Sequence, residues 1–135
     1  MLDKYPKKVN LVFKNFPLSS IHPFAYAAAA ASLAADAQGK FWEFHDKLFA
    51  NQRALNDARI QEIAKELHLD MERFNSTMRD PAIQKLIARD MEEGRQAGAE
   101  EGIPLIFVNG RLPKQGSLQG IEALIEAELK KEKKK

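Results

Sequence analysis

The chain has 135 residues, 44% of them hydrophobic and 30% charged, which is the size and composition of one globular domain. Its 21 basic and 19 acidic residues leave a net charge of +2, a balance that does not indicate a nucleic-acid partner. It contains no cysteine, which excludes disulfides, thiolate catalysis and cysteine metal sites within the chain. No stretch of the sequence approaches the roughly 20 apolar residues that a membrane-spanning helix requires.

The first predicted element is a buried strand at residues 9–13. This run, VNLVF, is rich in β-branched and aromatic residues, and the turn-forming segments PKK and NFP flank it. Residues 1–8 have the pattern of a frayed helix end followed by a turn.

Residues 23–98 have a helical pattern throughout. Pro23 suits the first position of an alanine-rich helix, and we expect Gly39 to end it. Further helices are expected to begin at Asn56 or Asp57, at Asp70 and at Asp80-Pro81, the last of them loosened at its end by Gly94 and Gly98. From the second helix to the fifth, the predicted inward positions are Phe41, Phe44, Leu48 and Phe49; Ile60, Ile63, Ala64 and Leu67; Met71, Phe74 and Met78; and Ile83, Leu86, Ile87 and Met91.

A hairpin and a last helix follow. Residues 105–108 form a continuous apolar run, and Asn109-Gly110 is the strongest two-residue hairpin signal. The returning arm begins at Arg111 and contains Pro113, which cannot donate to a ladder, so we expect an edge strand there. Ser117 is the expected cap of the last helix. Its predicted buried positions are Leu118, Ile121, Leu124, Ile125 and Leu129.

The predicted order is therefore one strand, five helices, a hairpin and a final helix. The lone strand and the distant hairpin must share a sheet, because an isolated hairpin is marginal in water. This pattern predicts an α/β or α+β domain with a large helical insertion. No internal repeat and no linker to a second domain is evident.

Three segments, in this order, are similar to the DsbA-like disulfide-oxidoreductase family. The first is residues 13–18, FKNFPL, which precede His22-Pro23 and an alanine-rich helix. The second is residues 38–49, QGKFWEFHDKLF, and the third is residues 102–111, GIPLIFVNGR. The resemblance covers nearly the whole chain, from Leu2 to about Leu129.

The resemblance implies a thioredoxin-like α/β fold, incomplete in this chain, with a large inserted helical subdomain. We expect one domain over residues 1–135, with the insertion at about 23–98 and thioredoxin parts at about 2–18 and 102–129. Members of the family catalyse thiol–disulfide exchange on proteins through a Cys-x-x-Cys motif at a helix start. That motif lies one helix before the strand that matches residues 9–13. It is absent here, so the resemblance implies no catalytic residue and no redox activity within the chain.

Ile103 and Pro104 are the substrate-binding residues that the resemblance implies. Pro104 matches the proline that has a cis peptide bond in the family and faces the active-site cysteines, and Ile103 offers its backbone groups to an extended substrate segment. From the sequence alone, a trans proline at the start of a strand is the commoner arrangement. The resemblance favours the cis bond.

Other side chains that could form sites have simpler explanations. The three histidines, His22, His45 and His68, lack the i, i+4 spacing of a helical zinc pair, so we predict no metal site and no cofactor. Aromatic residues at helical spacing, as in the cluster of residues 41, 42, 44 and 49, belong to a core more often than to a peptide-binding surface. Ser19 and Ser20 are expected to be turn residues. The acidic pairs at 92–93 and 100–101 do not have the spacing of a carboxylate dyad.

The leading hypothesis is a DsbA-like thiol–disulfide oxidoreductase domain that acts on protein disulfides but is redox-inactive in this chain, so that enzyme activity is left open. Its partner is a protein or peptide at the proline loop. One alternative is a non-catalytic peptide-binding module of the thioredoxin fold. Another is a protein similar to the kappa-class glutathione transferases, which bind glutathione against the equivalent proline.

The resemblance also implies a periplasmic or cell-envelope location. Residues 1–6 lack the apolar core of a signal peptide, so a cytosolic chain and a chain whose leader is removed before Met1 are both open. Five of the last six residues are lysine, which is more typical of a solvated helix end than of an anion- or membrane-surface tag. In the family, the strand that precedes the active-site helix pairs with the strands that match residues 9–13 and 105–108. That strand is missing here, so we expect a homodimer that covers the incomplete sheet.

Overall fold

The computed structural model describes residues 4–5, 7–17, 23–99, 105–113 and 117–133. Its helices are α1 Ala25–Asp36, α2 Phe41–Ala50, α3 Asp57–Glu66, α4 Met71–Met78, α5 Pro81–Ala97 and α6 Leu118–Lys133. The chain divides into two compact units. One consists of Met1–Phe13 with Gly98–Lys135, and the other of Lys14–Ala97. Among the described helices, none is long and apolar enough to cross a membrane.

The unit of residues 14–97 is a helical bundle built around α1, which contacts each of α2 to α5. The alanine-rich sequence of α1 explains this central place, since small side chains let the surrounding helices approach closely. Phe44 of α2 and Phe74 of α4 are fully buried, with ring centroids 5.7 Å apart. The principal buried cluster consists of Ala31, Ala34, Ala35, Phe44, Ile60, Ile63, Ala64, Leu69 and Phe74.

The helix starts confirm the predicted capping residues. The Asn56 side chain accepts a 2.7 Å hydrogen bond from the Arg59 amide at the start of α3. Asp70 accepts from the Arg73 amide at 3.1 Å at the start of α4. Each bond satisfies an amide that has no partner within the first turn of its helix. Helix α5 begins at Pro81 as predicted, and Asp80 accepts from the Ala82 amide at 2.9 Å.

Left-handed residues end two of the helices. Gly39 follows α1 with φ of +75°, and the Lys40 amide donates to the Ala35 carbonyl at 2.9 Å. This is the expected glycine stop. After α3, the left-handed position is occupied by a histidine. His68 has φ of +59°, and the Leu69 amide donates to the Ala64 carbonyl at 3.1 Å. A residue other than glycine at this position is strained.

In the other unit, a tight turn and α6 are the defined elements. Val108 and Arg111 exchange two backbone hydrogen bonds of 2.9 and 3.0 Å. Asn109 and Gly110 between them both have positive φ, of 49° and 78°. This is the turn that Asn-Gly predicts, with the twist that suits a hairpin. Ser117 caps α6 as predicted, because its hydroxyl accepts a 3.1 Å hydrogen bond from the Gly120 amide.

The predicted buried strand at residues 9–13 is wrong. Leu11, Val12 and Phe13 are 55%, 74% and 41% exposed, and the segment has no regular secondary structure. Over the described ranges, the β structure is limited to the bridge between Val108 and Arg111. An α/β sheet and an edge strand at Pro113 are therefore not confirmed. A strand forms only where a neighbouring strand accepts its hydrogen bonds, and the described segments place no such neighbour beside residues 9–13.

Three predicted core positions also lie at the surface. Phe49 of α2 is 60% exposed, Leu86 of α5 is 37% exposed and Leu118 of α6 is 59% exposed. In α2 and α5 the apolar pattern is wider than the face that packs, so Phe44 and Ile87 are fully buried while their apolar neighbours are not. Leu118 is the first residue of its helix, whereas Ile125 in the middle of α6 is buried.

Candidate functional site

The predicted substrate-binding residues, Ile103 and Pro104, lie outside the described residues. The apolar segment that follows them is described. Ile106 and Phe107 are 42% and 41% exposed, while Leu105 and Val108 are half-buried. A partly exposed apolar segment has side chains that a second, extended chain could contact.

The turn after this segment is fixed to α6 by one carboxylate. Glu128 accepts a 2.9 Å hydrogen bond from the Arg111 guanidinium and a 3.5 Å bond from the Asn109 side-chain amide. The bond from Arg111 is the main cause that lowers the pKa of Glu128, so this carboxylate stays ionised in mildly acidic solution. These bonds therefore fix the hairpin turn to α6. In the sequence, the turn follows shortly after the predicted proline loop.

A basic concavity lies in the same unit, between residues 4–8 and the end of α6. It is an open space of about 480 Å³ that no sequence pattern predicted. The Tyr5 hydroxyl donates a 2.6 Å hydrogen bond to Glu126, which raises the pKa of Tyr5 to about 12. The lining residues among those described are Lys4, Tyr5, Lys7, Lys8, Glu126, Leu129 and Lys130.

A signal for this concavity was present in the sequence. Both ends of the chain are rich in lysine, with three lysines among residues 4–8 and five in the last six residues. The sequence pattern did not reveal that the two ends meet. That contact depends on tertiary structure, since Tyr5 and Glu126 are 121 residues apart.

In the helical unit, α2 presents an exposed aromatic patch. The His45 ring lies 5.3 Å from the Trp42 ring and 4.8 Å from the Phe49 ring, and Phe41 lies 4.9 Å from Trp42. Trp42 is 41% exposed. The core interpretation of this aromatic cluster is therefore confirmed for Phe44 alone.

The remaining candidate residues are not assembled into one site. His45 lies in the aromatic patch, and His68 lies at the end of α3. His22, Ser19, Ser20, Glu100 and Glu101 are outside the described residues. The part of the chain that is described has no group of three or more histidine, cysteine, aspartate or glutamate side chains that could hold a metal ion.

The adjacent acidic residues Glu92 and Glu93 form ion pairs with different cationic side chains. Glu93 binds Lys14 and, at 3.5 Å, Arg89, and the contact with Lys14 is the main cause that lowers the pKa of Glu93. Glu92 pairs instead with Arg95 at 3.3 Å. The two carboxylates thus have separate cationic partners and do not act together.

Comparison with known proteins identifies the class of this domain. A model of the DSBA-like thioredoxin domain matches residues 3–126. The chain belongs to this family, and the resemblance seen in the three sequence segments is confirmed.

Its curated relatives are much longer proteins. The chain is 40% identical over 103 residues to a protein of Salinispora arenicola (strain CNS-205) named Na(+)/H(+) antiporter NhaA 1, a match that covers 76% of this chain and 16% of the relative. It is 40% identical over 90 residues to the Na(+)/H(+) antiporter NhaA of Herminiimonas arsenicoxydans, covering 67% of this chain and 14% of the relative. The chain thus spans about one-sixth of the length of these relatives. No solved structure matches it.

Proposed function

We propose that the chain is the polypeptide-binding part of a DsbA-like thiol–disulfide oxidoreductase domain that acts on protein disulfides. The family match over residues 3–126 supports this best, because the matched range includes Ile103 and Pro104. The chain alone is redox-inactive in this proposal. Thiol–disulfide exchange begins with thiolate attack on sulfur, and the chain contains no thiol.

Binding in this proposal uses the backbone of the proline loop. The Ile103 N–H and C=O groups pair with an extended substrate segment, in the manner of an added strand. A cis Ile103–Pro104 bond orients these groups toward the substrate. The hairpin turn, held by the contact of Arg111 with Glu128, supports the loop from its C-terminal side in the sequence.

Peptide titration followed by amide chemical shifts tests this binding. The probe is an extended peptide of about ten residues with one S-methylated cysteine, which cannot exchange disulfides. We expect shifts at residue 103 and at residues 105–108. Ile103→Pro removes the backbone donor and should abolish binding, whereas Ile103→Ala keeps that donor and should retain it. Equal affinity of the two variants, or shifts confined to residues 14–97, would contradict the proposal.

The bond geometry and the inactivity have their own measurements. A nuclear Overhauser contact between the Hα atoms of Ile103 and Pro104 identifies a cis bond, and a contact from Hα of Ile103 to Hδ of Pro104 identifies a trans bond. An insulin-reduction assay with thiol- and metal-free protein should match the uncatalysed blank. Catalysis above the blank would overturn the inactivity.

Two alternative functions make predictions that differ from those of this proposal. A non-catalytic peptide-binding module is favoured by the lack of cysteine, and it predicts peptide binding that no added cysteine-bearing segment converts into catalysis. A function similar to the kappa-class glutathione transferases predicts measurable glutathione affinity. We do not propose ion antiport for this chain, because that name belongs to relatives of which the chain spans about one-sixth.

The proposal extends to location and assembly. A DsbA-like domain that acts on protein disulfides belongs in the oxidising cell envelope, so we place it in the periplasm or its equivalent. We also propose a homodimer. The exposed apolar residues 11–13 offer a surface that a second copy could cover.

A further inference from the structure

The basic concavity of the first unit has features that the proposed redox function does not use. Four lysines line it, Lys4, Lys7, Lys8 and Lys130, against the single lining carboxylate of Glu126. Lys4 is paired with Glu122 at 3.1 Å, and Glu126 accepts the Tyr5 hydroxyl. No carboxylate of the described residues lies within 4.0 Å of Lys7, Lys8 or Lys130, and all three of these lysines are exposed.

Charge is distributed unequally between the two units. The unit of residues 1–13 and 98–135 has ten basic and seven acidic residues, whereas the unit of residues 14–97 has eleven basic and twelve acidic residues. The small net positive charge of the chain therefore lies on the unit that contains the concavity. Such an asymmetry attracts anionic partners to one part of the molecule.

The chemistry of the lining residues distinguishes between anionic partners. All of its described cations are lysines, which are flexible point charges and lack the fixed fork with which arginine holds one phosphate or carboxylate. Tyr5 and Leu129 add apolar surface between the lysine side chains. Flexible ammonium groups around an amphipathic surface suit a diffuse layer of anionic headgroups better than a single bound anion.

We propose that this surface binds an anionic phospholipid membrane from outside, with the concavity, including Lys130 of α6, against the headgroups. The occupant is the lipid surface. No segment of the chain needs to insert. The attraction is electrostatic and falls off within a Debye length, which is about 8 Å at 0.15 M ionic strength.

Vesicle flotation with the full chain tests the proposal. Vesicles of phosphatidylcholine with about 30% phosphatidylglycerol should bind it, and vesicles of pure phosphatidylcholine should not. Raising the NaCl concentration to about 0.5 M should release it. The double variant Lys7→Gln/Lys8→Gln should partition about 25-fold more weakly, since each lysine near such a surface contributes roughly five-fold.

The matched control removes two exposed lysines from the other unit, Lys65→Gln/Lys85→Gln, and has the same net charge as the test variant. It should partition within about two-fold of the unchanged chain. Equal losses in the two variants would overturn the proposal, as would the absence of binding to the anionic vesicles or equal binding to pure phosphatidylcholine.

Two anions that compete with the vesicles distinguish a membrane from other anionic partners. Poly-glutamate should bind more weakly than vesicles of equal charge concentration, and a tighter affinity overturns the proposal in favour of an acidic protein. Inorganic phosphate at constant ionic strength should not displace the vesicles, and displacement overturns the proposal in favour of a free anion. Thermal melts of both lysine variants should match that of the unchanged chain, because all four lysines are exposed and none has an ionic partner among the described residues.

Discussion

Tyr5 and Glu126, 121 residues apart, are joined by a 2.6 Å hydrogen bond from the phenol hydroxyl to the carboxylate. Tyr5 is only 7% exposed. The bond attaches the N-terminal segment to the middle of α6, and it places Lys4, Lys7 and Lys8 beside Lys130. The geometry of the basic concavity thus depends on this contact.

Ionisation of Tyr5 reports the bond directly. The pKa of Tyr5 is raised from 10.0 to about 12, first by the hydrogen bond to Glu126. The stabilising contribution of the bond is therefore complete below pH 10 and is lost as the pH rises through about 12. In a Tyr26→Phe background, absorbance of the tyrosinate should appear near pH 12. Glu126→Gln should move it toward 10. Titration near pH 10 without that second change would contradict the bond.

The sequence predicted well the features of the fold that depend on neighbouring residues, namely helix starts and the tight turn. The sequence predicted Ser117 as a cap and helix starts at Asn56 or Asp57 and at Asp70. In the structure, the side chains of Asn56, Asp70 and Ser117 each accept from an amide three residues ahead. Asn109-Gly110 was identified as a turn because both residues tolerate positive φ. These interactions require no information beyond four neighbouring residues.

Long-range relationships could not be predicted in the same way. A strand at residues 9–13 requires a partner from elsewhere, and the apolar run alone cannot specify whether that partner is present. The basic concavity requires the two lysine-rich ends to meet. The burial of α2 also depends on its neighbours, since Phe44 contacts Phe74 while Phe49 has no such cover.

Truncation of two phenylalanines on α2 should have very different effects. Phe44 is fully buried against Phe74, so Phe44→Ala should lower the free energy of unfolding by about 3–5 kcal/mol. Phe49 is 60% exposed, and Phe49→Ala should cost less than about 1 kcal/mol. Urea unfolding followed by fluorescence of the single tryptophan, Trp42, measures both. Equal losses would show that the packed face of α2 is misassigned.

Replacing the left-handed residue at two helix ends should change stability in opposite directions. Gly39 has φ of +75° and open space around its Cβ position, so Gly39→Ala should destabilise by about 1 kcal/mol through backbone strain alone. His68 has φ of +59° at the equivalent position of α3, so His68→Gly should stabilise by about 0.5 kcal/mol after the entropy of the unfolded glycine is subtracted. Urea midpoints measure both changes. A destabilising His68→Gly would mean that the imidazole makes a compensating contact.

The support of the hairpin turn by Glu128 can be tested by hydrogen exchange. Arg111 lowers the pKa of this carboxyl, so its contribution is complete above the ordinary pKa of 4.5 and is lost as the pH falls through the lowered value. Glu128→Gln should therefore accelerate exchange of the Val108 and Arg111 amides at neutral pH. Glu43→Gln on α2 is the control and should leave these amides unchanged. Unchanged exchange in Glu128→Gln would show that the turn is stable without α6.

We expect the chain to form a homodimer through residues 11–13. Val12 is 74% exposed in an apolar segment without regular secondary structure, and a second copy could cover that segment by adding a strand to it. Light scattering at micromolar concentration should give twice the mass of the 15.2 kDa chain. Val12→Lys should convert the dimer to a monomer without unfolding it, because the side chain is already in water in the single chain. Phe49→Lys, at a site on α2 that is 60% exposed, should leave the dimer intact. A monomeric unchanged chain with a cooperative melt would contradict the dimer, and loss of the dimer in both variants would move the interface away from residues 11–13.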